Sequence, residues 1–290
     1  MNHLLLLLQA AALASSPSPA PLVSATRYEY KTESTSPGPD GSPINATGRM
    51  RATISGAFVR YEVIPTPVLV KIPGEDSTRM VVGPDNSYTL MHGADRIYSV
   101  DTVKREYFLA DMGKMESGLS EALAGLAMMN FKVSGAKMDV KEVGQGDSVM
   151  NYATSHWRMS GTFTITMAAM SDTVAITMEE SSDFYYAGEL NIPFMRILQP
   201  DSAMVSGPLS KMLGEDNAKI MSAGYSKLPK ATPVKTVTRM TMMMGMMDMA
   251  MSNTTELTSI EKVDVPAAYF ELPKGYKEVE MPLPSMQPRN

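Results

Sequence analysis

The sequence predicts a mainly β chain of the α+β class, one strongly curled antiparallel sheet with one or two helices on its concave side. Three observations lead there. From residue 46 to 109, short segments of strand-forming residues follow one another at close spacing, separated by Gly, Pro, Asp and Asn. Only one long segment, Met115 to Asn130, changes to an apolar spacing of three to four. Few connections are long enough for the crossovers that parallel pairing requires.

Taken in order, a Ser/Pro linker at 15–21 leads into a first strand, Thr26 to Lys31, and a Ser/Pro/Gly loop at 34–43. Strands are then expected at Arg49–Ile54, Ala57–Ile64, Ser77–Val82, Ser87–Met91, Arg96–Val100 and Arg105–Leu109, with turns at Gly83–Asn86 and Asp101–Lys104. The Met115–Asn130 segment carries Leu119, Leu123, Leu126 and Met129 as one helical stripe. Beyond it, Gly144–Asp147 suggests a plain turn. Gly161 to Met167 alternates without a break, Thr on one face and Phe163, Ile165 and Met167 on the other. Val174, Ile176 and Met178 repeat that pattern across a turn at Asp172, which makes this pair the clearest hairpin. Glu179, Glu180 and Asp183 suggest a solvated strand end. Residues 192–224 break into helical pieces, including Ser210–Leu213 and Asn217–Met221, and the last strands are Val234–Met244 and Asn253–Val263. The stretch Val265–Tyr276 ends the sheet with a Pro-bounded turn and an aromatic-aliphatic plug.

The chain has 290 residues, a net charge of −5 and 20% charged side chains, and its Lys and Arg are scattered. No basic stripe is available for nucleic acid or anionic lipid. Leu4 to Leu8 followed by Ala12-Leu13-Ala14 has the form of a cleavable leader, although no Lys or Arg precedes it, and Val23-Ser24-Ala25 offers a second cleavage point. The apolar run is shorter than the roughly 20 residues that span a bilayer, and no transmembrane segment is expected elsewhere. The expected organisation is a signal peptide and linker over 1–25 and a single curled sheet domain over 26–290. The absence of cysteine excludes a disulfide framework and a lipid-modified N-terminal cysteine. A periplasmic or secreted bacterial protein is the expectation.

Several pieces line up in chain order: Val59-Arg60-Tyr61-Glu62, the hairpin from Asp95–Asp101 into Lys104–Phe108, the internal helix, and the closing Val265–Tyr276. In these the chain resembles the exported bacterial domains related to the lipoprotein-sorting carriers, the LolA/LolB-like superfamily, and most of all its members of unknown function. The resemblance implies an unclosed half-barrel whose one to three helices form a lid over an apolar cavity, which in the carriers receives acyl chains. It places no gating arginine on this chain.

Residue chemistry gives no catalytic site. Only His92 and His156 lie outside the leader, which opposes a His-rich zinc site, and no Gly-x-Ser-x-Gly elbow supports a hydrolase triad. In His156-Trp157-Arg158-Met159, strand alternation sends His156 to the surface and Trp157 and Met159 to the core. Methionine is the outlier, 28 residues, densest over Met240–Met251. Three readings stay open for that run: a two-sided buried strand, an adaptable pocket lining, or a set of soft thioether ligands. The preferred function is a non-enzymatic exported carrier without cofactor. It would hold a lipid, acyl chain or other apolar small molecule over Phe163, Ile165, Met167, Val174, Ile176 and Met178, with an exported or envelope protein as a further partner. The alternative is a Cu(I) or Ag(I) binder using Met240, Met242, Met244, Met246 and Met249, and a hydrolase on an unfamiliar fold ranks last.

Overall fold

The alternation visible in short sequence segments is carried by strands much longer than those segments. A computed structural model describes residues 20–38, 41–64, 67–71, 78–82, 87–93, 96–110, 132–169, 172–190, 192, 210–245 and 247–280. Its strands are β1 (Leu22–Pro37), β2 (Pro43–Ser55), β3 (Phe58–Ile64), β4 (Pro67–Lys71), β5 (Thr78–Val82), β6 (Ser87–His92), β7 (Arg96–Asp101), β8 (Glu106–Ala110), β9 (Lys132–Val149), β10 (Tyr152–Ala169), β11 (Asp172–Tyr186), β12 (Lys235–Met244), β13 (Met247–Pro266) and β14 (Lys277–Glu278). Two α-helices, α1 (Ser210–Leu213) and α2 (Glu215–Tyr225), and a 3-10 turn, Ala267–Phe270, complete the described elements.

Twelve strands form one sheet in the order β14-β8-β7-β6-β3-β2-β1-β13-β12-β11-β10-β9, and β4 and β5 pair separately. All pairings are antiparallel except β14 on β8. The ends β14 and β9 do not meet, so the sheet is an unclosed half-barrel. Its curl is visible in one core cluster. Val149, at the end of edge strand β9, belongs to the same buried cluster as Tyr28, Ala52 and Tyr61 of β1, β2 and β3. Those strands lie five to seven places away, which in a flat sheet would be about 24–34 Å at roughly 4.8 Å per strand. Strong curvature brings them into one cluster.

The inner face follows from register. Tyr28 and Tyr30 of β1, Ala52 and Ile54 of β2, Tyr61 of β3 and Leu257 of β13 point to one side. There they bury against Ala187, Ile192 and Val234, which return across the concave side. Helix α2 covers the other limb. Acidic Glu215 and Asp216 occupy its first turn, where they favour the helix dipole. Ala218, Met221 and Tyr225 form its apolar stripe and pack on Val133, Phe163 and Ile165. Gly224 lets the last turn approach β9 closely, since a Cβ there would lie 2.1 Å from the Met138 sulfur. Asn217 then ties α2 to that edge strand: its Nδ2 donates to the Val133 carbonyl at 3.0 Å, and its Oδ1 accepts from the Ala136 amide at 3.3 Å. An otherwise open sheet edge is thereby partly covered.

The closing segment binds the outer face. Tyr269 donates to Glu62 at 3.0 Å, and the Arg60 guanidinium stacks on the Tyr88 and Tyr269 rings. Phe270 buries with Ala25 and Val265, and Leu272 and Tyr276 pack on Tyr88, Leu90 and Val100. The aromatic-aliphatic plug of the sequence is therefore a strap across β3, β6, β7 and β8, opposite the concave side.

Several expectations need correction. The first strand begins at Leu22, not Thr26, because Leu22 to Ala25 pair with Pro266 to Val263. Gly144–Asp147 is not a turn but part of β9, where Gly144 adopts φ 124° beside a register shift. The chain instead reverses at Met150 and Asn151, both at positive φ. Asp172 is paired with Ala169 inside the hairpin ladder rather than in its turn. Glu179 and Glu180 lie in mid-β11, not at a strand end. The methionine run is not one strand but a hairpin folded at Gly245. Ser210–Leu213 and Asn217–Met221 are helical as expected, and Asp101 caps its turn by accepting from the Val103 and Lys104 amides. The leader, the Gly83–Asn86 turn and the Met115–Asn130 helix fall outside the described residues.

Two substitutions test this core. Leu257 is 1% exposed, so Leu257→Ala is expected to lower unfolding free energy by about 2–5 kcal/mol in urea titration. The Tyr30 hydroxyl is buried with no hydrogen-bond partner among the described residues, and burial pushes its pKa up. Tyr30→Phe is therefore expected to be neutral or to stabilise by about 1 kcal/mol in the same assay.

Candidate functional site

Register through β10–β13 collects side chains that are distant in sequence onto one surface. Phe163 opposes Met178, Ile165 opposes Ile176, and Met167 opposes Val174. On the next strand Met178 opposes Met242, and Ile176 opposes Met244. Across the last gap Met242 opposes Met249, and Met240 opposes Met251. Directly opposed residues share a face. All six carrier candidates therefore lie on the inner face together with Met240, Met242, Met244 and Met249 of the alternative metal set. Met246 lies outside the described residues. The two rival readings of the sequence converge on one patch.

The strand neighbours point outward and are mostly polar. They are Thr162, Thr164 and Thr166 on β10, Thr173, Ala175, Thr177 and Glu179 on β11, and Arg239, Thr241 and Met243 on β12. A shallow groove of about 480 Å³ lies mostly over this polar side, between Lys137, Ser160, Glu179 and Arg239. The apolar patch spans about 14 Å across the four strands and about 20 Å along β11 from Val174 to Glu180.

The patch is filled at one border and more open beyond it. Phe163 and Ile165 pack beneath α1 and α2, so these two belong to the core under the helices. Met167, Val174, Ile176, Met178, Met240, Met242, Met244, Met249 and Met251 are half-buried. At its inner end the patch meets a polar row. Ser182 donates to Glu180 Oε1 at 2.9 Å and lies 3.0 Å from the Thr238 hydroxyl. Having spent its one proton on Glu180, Ser182 accepts from Thr238. Burial, with the Glu180 carboxylate adding to it, pushes the Tyr225 hydroxyl up. Below this row Val140, Met159, Phe184, Tyr186 and Leu228 close the interior as ordinary core.

The histidine reading is corrected in part. Met159 is core and Trp157 packs beside it, but His156 is not free at the surface. Its ring stacks on Tyr185 at 4.7 Å, and its Nε2 meets Asp183 Oδ1 at 2.8 Å. Arg158 Nε donates to the same oxygen at 2.7 Å, and Arg239 Nη1 donates to Oδ2 at 3.1 Å. Asp183 is thus the hub of an outer-face cluster that clamps β10, β11 and β12. Burial works to raise its pKa, yet the hydrogen bonds from Arg158, His156 and Arg239 outweigh it and hold the carboxyl below the usual range. Sequence reasoning missed this hub because its members are contiguous only through strand pairing. Among the described residues no group of three or more His, Asp or Glu side chains could hold a metal.

No known protein family matches this sequence, and no curated protein does. Among solved structures, a LolA superfamily protein from Nitrosomonas europaea aligns over 84% of this chain and 89% of its own, at 8% identity and a TM-score of 0.23. No described helix is long and apolar enough to cross a membrane.

Acid should reveal the outer clamps. Glu29 is lowered chiefly by its hydrogen bond from Arg51, and Asp183 is lowered as above. A carboxylate lowered in the folded state contributes stability that is complete above the unfolded value, about 4, and is lost as pH falls through the folded one. The urea midpoint is expected to fall steadily below about pH 4, and Asp183→Asn should flatten that decline. An unchanged slope in the variant contradicts the assignment.

Proposed function

We propose that this protein is an exported, non-enzymatic carrier that holds a lipid acyl chain, or an apolar molecule of similar shape, on the inner face of β10–β13. The observation that carries the reading is the convergence of Met167, Val174, Ile176, Met178, Met242, Met244 and Met249 on one concave, half-buried face whose reverse side is mostly polar. Such a face favours a ligand by removing methylenes from water, about 0.8 kcal/mol for each. Thioether side chains adapt to chains of differing length and unsaturation. The length of the patch, about 20 Å, suits an extended long acyl chain, and Glu180 with Thr238 offers hydrogen-bonding partners to a polar end.

Native mass spectrometry of protein purified from an exporting host tests this, and co-purifying lipid is expected. In displacement of a fluorescent fatty-acid probe, Ile176→Glu and Met242→Glu should each weaken binding roughly tenfold or more, because a charge is forced onto the apolar face. Ala175→Glu, one residue away on the outer face, should leave binding unchanged. Equal effects at Ile176 and Ala175, or no probe binding by the unaltered chain, contradict the proposal.

Export itself sets a second expectation. Leu22–Ala25 are paired in β1, and Ala25 is 3% exposed against Phe270 and Val265. Cleavage after Ala25 would remove that corner, so the leader is expected to end before Leu22, as at Ala14. N-terminal sequencing of the exported product checks this; a start at Thr26 contradicts it.

A further inference from the structure

The register that turns apolar side chains inward also gathers sulfur. Met178, Met242 and Met249 form one row across β11, β12 and β13, and Met240 and Met251 form the adjacent row. Opposed Cβ atoms in such rows lie about 4.5–5.5 Å apart, and each thioether sits on a flexible unbranched stem. Five sulfurs from three strands can therefore turn toward a common centre, which leucine or isoleucine at the same positions could not supply. Directly opposite Met240, on its other side, is Glu180. It lies at the rim of the patch beside the methionine rows, and the Ser182 hydroxyl holds its Oε1. A neutral thioether set leaves a bound cation uncompensated in apolar surroundings, which is costly; a carboxylate beside it supplies the counter-charge.

We propose that Met178, Met240, Met242, Met249 and Met251, with Glu180, form a binding site for a soft monovalent cation, Cu(I) or Ag(I). Thioether donors select soft ions over Zn(II), Mg(II) or Ca(II). This set differs from the one legible in the sequence: Met178 and Met251 join it through strand pairing, and Met244 stands one step farther out, opposite Ile176. The proposal rests on register and donor chemistry and is independent of the carrier reading.

The test is titration of the full protein with Ag(I), and anaerobically with Cu(I), read by NMR of methyl-labelled methionine. Saturation at one ion per chain is expected, with the methyl signals of the five methionines shifting and those of Met159 in the core and Met243 on the outer face staying in place. The combined Met240→Leu, Met242→Leu, Met249→Leu and Met251→Leu variant keeps an apolar face. It should lose roughly a hundredfold in Ag(I) affinity while its circular dichroism and the methyl signal of core Met159 show the fold retained. Glu180→Gln should weaken the ion about tenfold. Shifts spread evenly over methionines on both faces, no saturable binding, or unchanged affinity in the leucine variant would overturn the site.

Discussion

The structure depends on the pairing register of four long strands, β10 to β13. Side chains alternate across a sheet with a period of two, so a slip of one residue would exchange the two faces entirely. In the observed register Phe163, Ile176, Met178, Met242 and Met249 face inward, while Thr164, Thr177, Glu179 and Arg239 face outward. The penalty for the wrong register is the exposure of this whole apolar set together with burial of Glu179 and Arg239. The Asp183 clamp reinforces the same choice from outside, because one carboxylate holds His156 and Arg158 of β10 and Arg239 of β12.

Curvature supplies what cysteines would otherwise provide. By wrapping the sheet until Val149 joins one buried cluster with Tyr28 and Tyr61, the chain gains a core that uses no disulfides. The limb built on β1–β3 is filled by Leu257, Val234 and Ile192, and the limb under α2 by Val133, Leu213 and Ala218. The apolar patch continues past α2 toward the β12–β13 turn. Because Tyr269 and Phe270 strap the outer face, nothing in the closing segment competes for the concave side.

Fold class was legible because period-two alternation is local. Gly161 to Met167 and Val174 to Met178 display it within seven residues, and the hairpin they imply is present. Strand lengths were less legible. The glycines at 135, 144 and 146 and the many charges of β9 resemble a loop, yet Gly146 is required where Thr154 and Tyr185 crowd the backbone, within 2.6 and 2.7 Å of a would-be Cβ. The methionine run was ambiguous for a related reason. Read as one strand it has sulfur on both faces, whereas the fold at Gly245 pairs Met240 with Met251 and Met242 with Met249 on the same side. The Asp183 hub and the outward placement of the C-terminal plug depend on contacts between residues distant in sequence, such as Thr53 and Tyr269, 216 positions apart, and no local pattern encodes them.

The most direct measurement of the central claim, that the inner face of β10–β13 is where an apolar ligand lies, is paramagnetic broadening by a spin-labelled stearic acid in methyl-labelled methionine NMR. The account predicts stronger broadening of the Met178, Met242 and Met249 signals than of Met243, one residue from Met242 but on the outer face. Broadening of Met243 to the same extent, or none at any of these methyls when the fatty acid is bound, would contradict it.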